Sequence, residues 1–255
     1  MQKEKYLQDA KTAAKEAGKY LIGETLKEIN VEQDKDIKLY ADKNSEKIII
    51  DYLKARHDIP ILTEESGELG DIGEGLYWVV DPIDGTYNFF KGLDLCCVSI
   101  ALWKGSDPVL GVIYEFKNDR LYYGIVGEGA WCNGKSISTS EIAELGKASL
   151  ATGFPVYRDY SDHALTTFMD SVQCFKKIRM FGTAATSIVY VASGKIDVYI
   201  EEDIMLWDVA AGVALVLAAG GAVKLEQGSK KWTRKTMCFA NDKLKEKYLN
   251  EIFSN

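Results

Sequence analysis

The chain has 255 residues, 47% hydrophobic and 27% charged, enough to bury a sizeable core in one large domain or two modest ones. Its formal net charge of -7 offers no general attraction for nucleic acid or an anionic membrane, so an anionic substrate must be held by local cations, metal ions or helix N-termini. The five cysteines (Cys96, Cys97, Cys132, Cys174, Cys238) include no Cys-x-x-Cys pair, and with only His57 and His163 beside them a zinc site is poorly supplied; reduced thiols in a cytoplasm are the simplest account.

The amino terminus, Met1-Gln2-Lys3-Glu4-Lys5, lacks the apolar run and small residues of a secretory signal. Over residues 3–29, Leu7, Ala10, Ala14, Ala17, Leu21, Ile22, Leu26 and Ile29 recur at helical intervals and predict an amphipathic first helix. Residues 30–38 are polar and charged and predict a loop, after which helical periodicity over 45–53 puts Asp42 near a helix start. A short strand over 59–63 ends at Glu64-Glu65-Ser66, ahead of a glycine-bearing segment at 67–75. Trp78-Val79-Val80 reads as a buried strand running into Asp81-Pro82-Ile83-Asp84-Gly85-Thr86. Pro82 cannot donate to a ladder, which predicts a turn at a sheet edge carrying Asp81 and Asp84. Gly85 lets backbone approach a ligand closely, and Thr86 offers a hydroxyl and an N–H at a helix start.

Three β-rich runs at 95–103, 109–116 and 121–125, separated by strong turn signals, predict an antiparallel meander. Gly127-Glu128-Gly129 has no third glycine and opens no helix, so the segment through Gly134 reads as a hairpin and not as a dinucleotide site. Beyond Ser138 strand and helix alternate, at 148–152, 162–175, 177–181, 183–193 and 198–201, which predicts an α/β half. The apolar run 209–223 is too short to span a bilayer and predicts a buried helix. A division near 140–147 separates an N-terminal α+β half, residues 1–145, from a C-terminal α/β half, residues 146–255.

Carboxylates stand just past a strand or at a helix entrance in four places: Asp42, Glu64 with Glu65, Asp81 with Asp84, and Asp208 after Trp207. Singly they read as caps or solvated loops. If Glu64, Asp81, Asp84 and Asp208 converge, each close pair repels by roughly 4 kcal/mol at a surface-like effective dielectric, and divalent cations are the natural compensation. Oxygen ligands without His or Cys favour a hard ion, Mg²⁺ first, and the Ile83 carbonyl is a plausible extra ligand. The chemistry that follows is metal-assisted hydrolysis of a phosphate ester, with phosphate oxygens held by the N–H groups of Gly85 and Thr86 and by the helix after Asp208.

These motifs resemble those of the inositol monophosphatase family of Mg²⁺-dependent, lithium-sensitive sugar phosphatases: Glu64-Glu65-Ser66, Asp81 to Thr86, and Trp207-Asp208 with an apolar helix closing at Gly220-Gly221. The resemblance implies a layered α-β-α-β-α sandwich of mixed α+β and α/β character, a homodimer, and a phosphomonoesterase acting on a small polyol or sugar phosphate. It also implies two or three Mg²⁺ ions. Glu64, Asp81 and the Ile83 carbonyl would hold one, and Asp81, Asp84 and Asp208 a second, while a third would rest mainly on Glu64. Glu64 and Thr86 would orient the attacking water, with Asp42 accepting the Thr86 hydroxyl hydrogen. Asp84, Gly85, Thr86, Gly182, Thr183, Ala184, Glu201 and Asp208 would contact substrate. Two departures stand out: Leu39-Tyr40-Ala41 precedes Asp42, leaving open whether Lys35 or Lys38 serves as the lysine of the metal-binding loop, and Glu202-Asp203 makes the segment at Glu201 unusually acidic. Within the same fold the alternatives are a 3′(2′),5′-bisphosphate nucleotidase, a fructose-1,6-bisphosphatase and a histidinol-phosphatase, and outside enzymes an interaction protein that has lost turnover.

Overall fold

The computed structural model describes residues 2–23, 29–33, 36–154 and 159–253. Ala10, Ala13, Ala14, Ala17 and Leu21 are all fully buried on one face of α1 (Gln2–Gly23). Small side chains let the helix sit close: a Cβ at Gly18 would stand 2.5 Å from the Tyr114 ring. The predicted first helix is too long, because Ile29 opens a strand, and the predicted loop is a hairpin of β1 (Ile29–Gln33) and β2 (Asp36–Leu39). Polar residues there alternate with Ile29, Val31, Ile37 and Leu39, a period of two hidden by the high charge of the segment. Then α2 (Tyr40–Lys54) begins five residues before the predicted start and packs beside α1.

The larger sheet has eight strands in the order β10-β9-β8-β7-β6-β5-β3-β4. They are β3 (Ile61–Thr63), β4 (Gly67–Leu69), β5 (Leu76–Asp84), β6 (Cys97–Lys104), β7 (Asp107–Glu115), β8 (Arg120–Ile125), β9 (Gly129–Cys132) and β10 (Lys135–Ile137), with the short α3 (Thr86–Lys91) after β5. From β5 through β10 every neighbour is antiparallel, so the predicted meander and hairpin are present. The last hairpin turns on Asn133 and Gly134, both with positive φ (47° and 82°), the signature of a type I′ turn.

Both faces of this sheet are buried, and alternate residues go to opposite sides. Trp78, Val80, Val98, Ile100 and Leu102 face α1 and α2, while Tyr77, Val79, Ala101 and Trp103 face a second helical layer. That layer is α5 (Ala184–Ala192) and α6 (Leu206–Ala218), both apolar nearly all round. Beneath it lies a five-stranded sheet in the order β12-β11-β13-β15-β14, built from β11 (Ser149–Ala151), β12 (Lys177–Arg179), β13 (Val198–Met205), β14 (Ala222–Gln227) and β15 (Thr233–Phe239). Its outer face is covered by Phe168 and Val172 of α4 (Asp162–Val172) and by Leu244 and Tyr248 of α7 (Asp242–Phe253). The layers run α-β-α-β-α. No helix among the described residues is long and apolar enough to cross a membrane.

One expectation about the sheet is corrected. β5 is an interior strand between β6 and β3, and it continues through Pro82 to Asp84. Asp81 pairs with Ser99 and Asp84 with Cys97, so three steps on β5 match two on β6. Pro82 sits in this bulge, where the ladder has no need of its missing N–H.

Candidate active site

Three elements end at one place. β3 stops at Thr63 and is followed by Glu64, β5 carries Asp81 at its bulge, and Asp208 is the third residue of α6. Carboxylate oxygens of Glu64, Asp81 and Asp208 lie within 4.8 Å of one another. Burial first, and then the charges of its neighbours, push the Asp81 and Asp208 carboxyls well above the usual carboxylate range. An all-oxygen set under this repulsion fits a hard divalent cation, whose charge replaces the protons these groups otherwise need.

Asp84 lies outside that triple. Its oxygens accept the Thr183 hydroxyl and the N–H groups of Ala184 (3.3 Å) and Ala185 (2.9 Å), so it sits on the N-terminus of α5. Burial lifts its pKa to about 6, against the lowering effect of those donors. Its charge still reaches the triple, raising both Asp81 and Asp208.

Around the bulge the backbone is tightly specified. The Ile83 N–H donates to Asp81 Oδ1 at 3.0 Å, and the Ser45 hydroxyl to the Pro82 carbonyl at 3.0 Å. Gly85 has φ +83°, and a Cβ there would lie 2.8 Å from the Leu95 carbonyl oxygen. The Thr86 hydroxyl faces two acceptors, the Ile83 carbonyl at 2.9 Å and Asp42 Oδ1 at 3.1 Å. Asp42 is the third residue of α2, and its Oδ2 accepts the Leu39 N–H at 2.7 Å. Burial, with the Glu65 charge, raises its pKa to about 7 despite the Leu39 and Thr86 donors.

Asp84, Gly182, Thr183, Ala184, Glu201 and Asp208 share one cleft of about 230 Å³; Glu64, Gly85 and Thr86 are not among its lining residues. The acidic run at Glu201 separates into three destinations. Glu201 lines the cleft, Glu202 pairs with Lys235 at 2.7 Å, and Asp203, at φ +54° in a β13 bulge, accepts the Ser229 N–H at 2.6 Å. Glu202 and Asp203 therefore add no acid to the cleft wall. Lys35 lies outside the described residues, as does the side chain of Lys38.

Two supporting residues were not visible as such in the sequence. Glu46, buried on α2, accepts the Thr63 hydroxyl (2.6 Å), the Glu65 and Ser66 N–H groups (both 3.1 Å) and the Ser66 hydroxyl (2.5 Å), fixing the turn that carries Glu64. Its spacing of four from Asp42 places both on one helix face, the only sequence signal for it. Asn88 on α3 donates to the carbonyls of Leu95 and Phe181, both at 2.8 Å, and so ties the turn after Asp84 to the loop bearing Gly182.

A layered α-β-α-β-α fold that gathers carboxylates from β3, β5 and α6 beside a small cleft is the framework of a phosphoric monoester hydrolase. Residues 2–255 match the model of the inositol monophosphatase family. A protein of Aquifex aeolicus named fructose-1,6-bisphosphatase/inositol-1-monophosphatase is 37% identical over 229 residues, covering 87% of this chain and 86% of that one. The Nus factor SuhB of Escherichia coli is 38% identical over 188 residues, covering 71% of this chain and 69% of that protein. The solved structure of inositol monophosphatase from Anabaena (Nostoc) superposes with a TM-score of 0.86 at 31% identity, covering 100% of this chain and 97% of that one. The chain belongs to the inositol monophosphatase family.

Proposed function

We propose that the protein hydrolyses the phosphate monoester of a small polyol or sugar, with two or three Mg²⁺ ions held by Glu64, Asp81, Asp84, Asp208 and the Ile83 carbonyl. The observation that carries this reading is the convergence of Glu64, Asp81 and Asp208 within 4.8 Å. When bound, Mg²⁺ neutralises phosphate charge and lowers the pKa of a water molecule.

The protein groups do the rest. Glu64 and Thr86 orient the water for in-line attack on phosphorus. The Thr86 hydroxyl carries one hydrogen, which it donates to Asp42 Oδ1 as its oxygen takes up the proton leaving the water. Asp42, with a pKa of about 7, can hold that proton near neutral pH. The new P–O bond forms as the ester P–O bond breaks, and the leaving alkoxide is protonated from solvent. Gly182, Thr183 and Ala184 present backbone to the organic part of the substrate, and Glu201 accepts hydrogen bonds from its hydroxyls. We extend the reading to a lithium-sensitive, cytoplasmic homodimer in which residues 1–145 supply the metal ligands other than Asp208, and residues 146–255 complete the cleft.

Phosphate release with Mg²⁺ from a panel of inositol, glycerol, histidinol and sugar phosphates, fructose bisphosphate and adenosine bisphosphates tests the proposal. Turnover of a polyol or sugar monophosphate is expected, and Asp84→Asn abolishes it while leaving the fold intact. No release from any ester, or unchanged turnover in Asp84→Asn, overturns it. A protein that kept the fold for docking alone gives the first of these failures.

A further inference from the structure

Glu201 is held from two sides. Tyr199 stands two residues earlier on β13, so its side chain emerges on the same face of the strand. It is fully buried and donates its hydroxyl to Glu201 Oε2 at 2.8 Å. Burial first, and then the Glu201 charge, keeps that hydroxyl protonated well beyond the ordinary tyrosine range, so it remains a donor at any working pH. On the other side Gly153 leaves room for the carboxylate, since a Cβ there would stand 2.8 Å from Oε1 and 2.9 Å from Oε2. Gly153 has no positive φ, so its requirement is for space and not for backbone freedom. With the Tyr199 hydroxyl taking up one acceptor position on Oε2, the carboxylate presents its remaining oxygen lone pairs to donors in the cleft, such as ligand hydroxyls.

We infer that Tyr199 and Gly153 are positioning residues that aim the Glu201 carboxylate at hydroxyl groups next to the substrate phosphate, and that they set a preference for polyol esters over esters without hydroxyls. The inference rests on the phosphatase reading of this cleft. It adds to that reading a buried donor and a steric slot whose effect passes through Glu201 and leaves the phosphate side untouched.

The test compares kcat/KM for inositol 1-phosphate with that for phenyl phosphate, which has no hydroxyl to present. In Tyr199→Phe and in Gly153→Ala the ratio is expected to fall roughly 3- to 10-fold, the effect of one lost or misplaced hydrogen bond, through KM and not kcat. In a Glu201→Ala background, Tyr199→Phe is expected to change the ratio by less than about twofold, because its partner is gone. Thermal melts confirm that each variant folds, and Phe at 199 keeps the buried ring. An unchanged ratio in Tyr199→Phe, or an equal fall in the Glu201→Ala background, overturns the inference while leaving the phosphatase reading standing. A wild-type protein that releases phosphate from neither ester overturns the phosphatase reading, and the inference with it.

Discussion

At the scale of the residue, Asp81 is where charge and fold pull in opposite directions. It is 1% exposed, with Glu64, Asp84 and Asp208 all adding like charge around it. Asp81→Asn keeps the size of the side chain and removes that charge, so two effects of opposite sign are expected. Mg²⁺-dependent phosphate release is lost, yet the metal-free protein melts higher at pH 7.5, by roughly 2–4 °C for each ~1 kcal/mol of repulsion relieved. A lower metal-free melting temperature would show that repulsion does not dominate the site. Thr86 makes a different prediction, since its hydroxyl is the donor between Ile83 and Asp42. Thr86→Ala lowers kcat by about 10²-fold or more with little change in KM, and Thr86→Ser restores most of it. Asp42, Glu64, Asp81 and Asp208 were legible in the sequence because each carboxylate interrupts an apolar strand end or helix start. Glu46 was not, since an acid four residues along a helix also describes any solvated face. Nor was the seat of Asp84 on α5, a contact across 99 residues of chain.

Among elements, the turn from β3 to β4 depends on α2 for its shape. Glu46→Ala strands the Thr63 and Ser66 hydroxyls and two N–H groups together, at about 1–3 kcal/mol for each donor that water cannot reach. The expected result is a clear loss in urea stability and a higher Mg²⁺ requirement for turnover, because Glu64 rides on that turn. The pH dependence of the metal-free protein belongs to the same elements. Asp42 titrates near 7 and Asp84 near 6, and Asp81 and Asp208 are raised as well, whereas unfolded carboxyls titrate near about 4. Between those limits the folded state binds more protons than the unfolded one, so stability falls as pH rises from about 4 to about 7. Melts in EDTA should show that decline, and saturating Mg²⁺ should flatten or reverse it by binding the ionised ligands. A melting temperature that climbs across the window in EDTA contradicts the assignment of these shifts. The long, strongly periodic elements α1, α6 and the meander were legible in the sequence. The hairpin of β1 and β2 was not, because polar strands of five and four residues carry too few apolar positions to announce their period.

In the whole molecule, α6 is the joint between the two sheets. It packs against β5, β6, β7 and β8 on one side and β13, β14 and β15 on the other, and it carries Asp208 at its start. The approach to β7 is so close that a Cβ at Gly111 would overlap the Ala211 carbonyl, and a Cβ at Gly212 would lie 2.6 Å from Ile188 on α5. Gly111→Ala therefore displaces α6 from the larger sheet. The expected cost is about 1–3 kcal/mol, together with weaker Mg²⁺ activation as Asp208 moves away from Asp81. Calorimetry and a Mg²⁺ titration of phosphate release check the two together, and activation unchanged at reduced stability would separate α6 packing from the site.

The bulge at Pro82 has a consequence in terms of parity. Side chains on β5 alternate sides, and Val79 faces α6 while Val80 faces α1 and α2. Asp81 and Asp84 are separated by an odd number of steps, yet both turn toward the layer of α5 and α6, while Ile83 joins the core under α1 and α2. The extra residue is what makes an odd interval behave as an even one. Deleting Pro82 would therefore not turn the site inside out: two steps on β5 would match two on β6, and plain alternation would keep Asp81 and Asp84 on the α5 and α6 side with Ile83 under α1 and α2. The regular stretch before the bulge has no such latitude: one residue inserted between Val79 and Asp81 reverses the faces of one end of β5 relative to the other, and that variant is expected to be insoluble where the Pro82 deletion still folds.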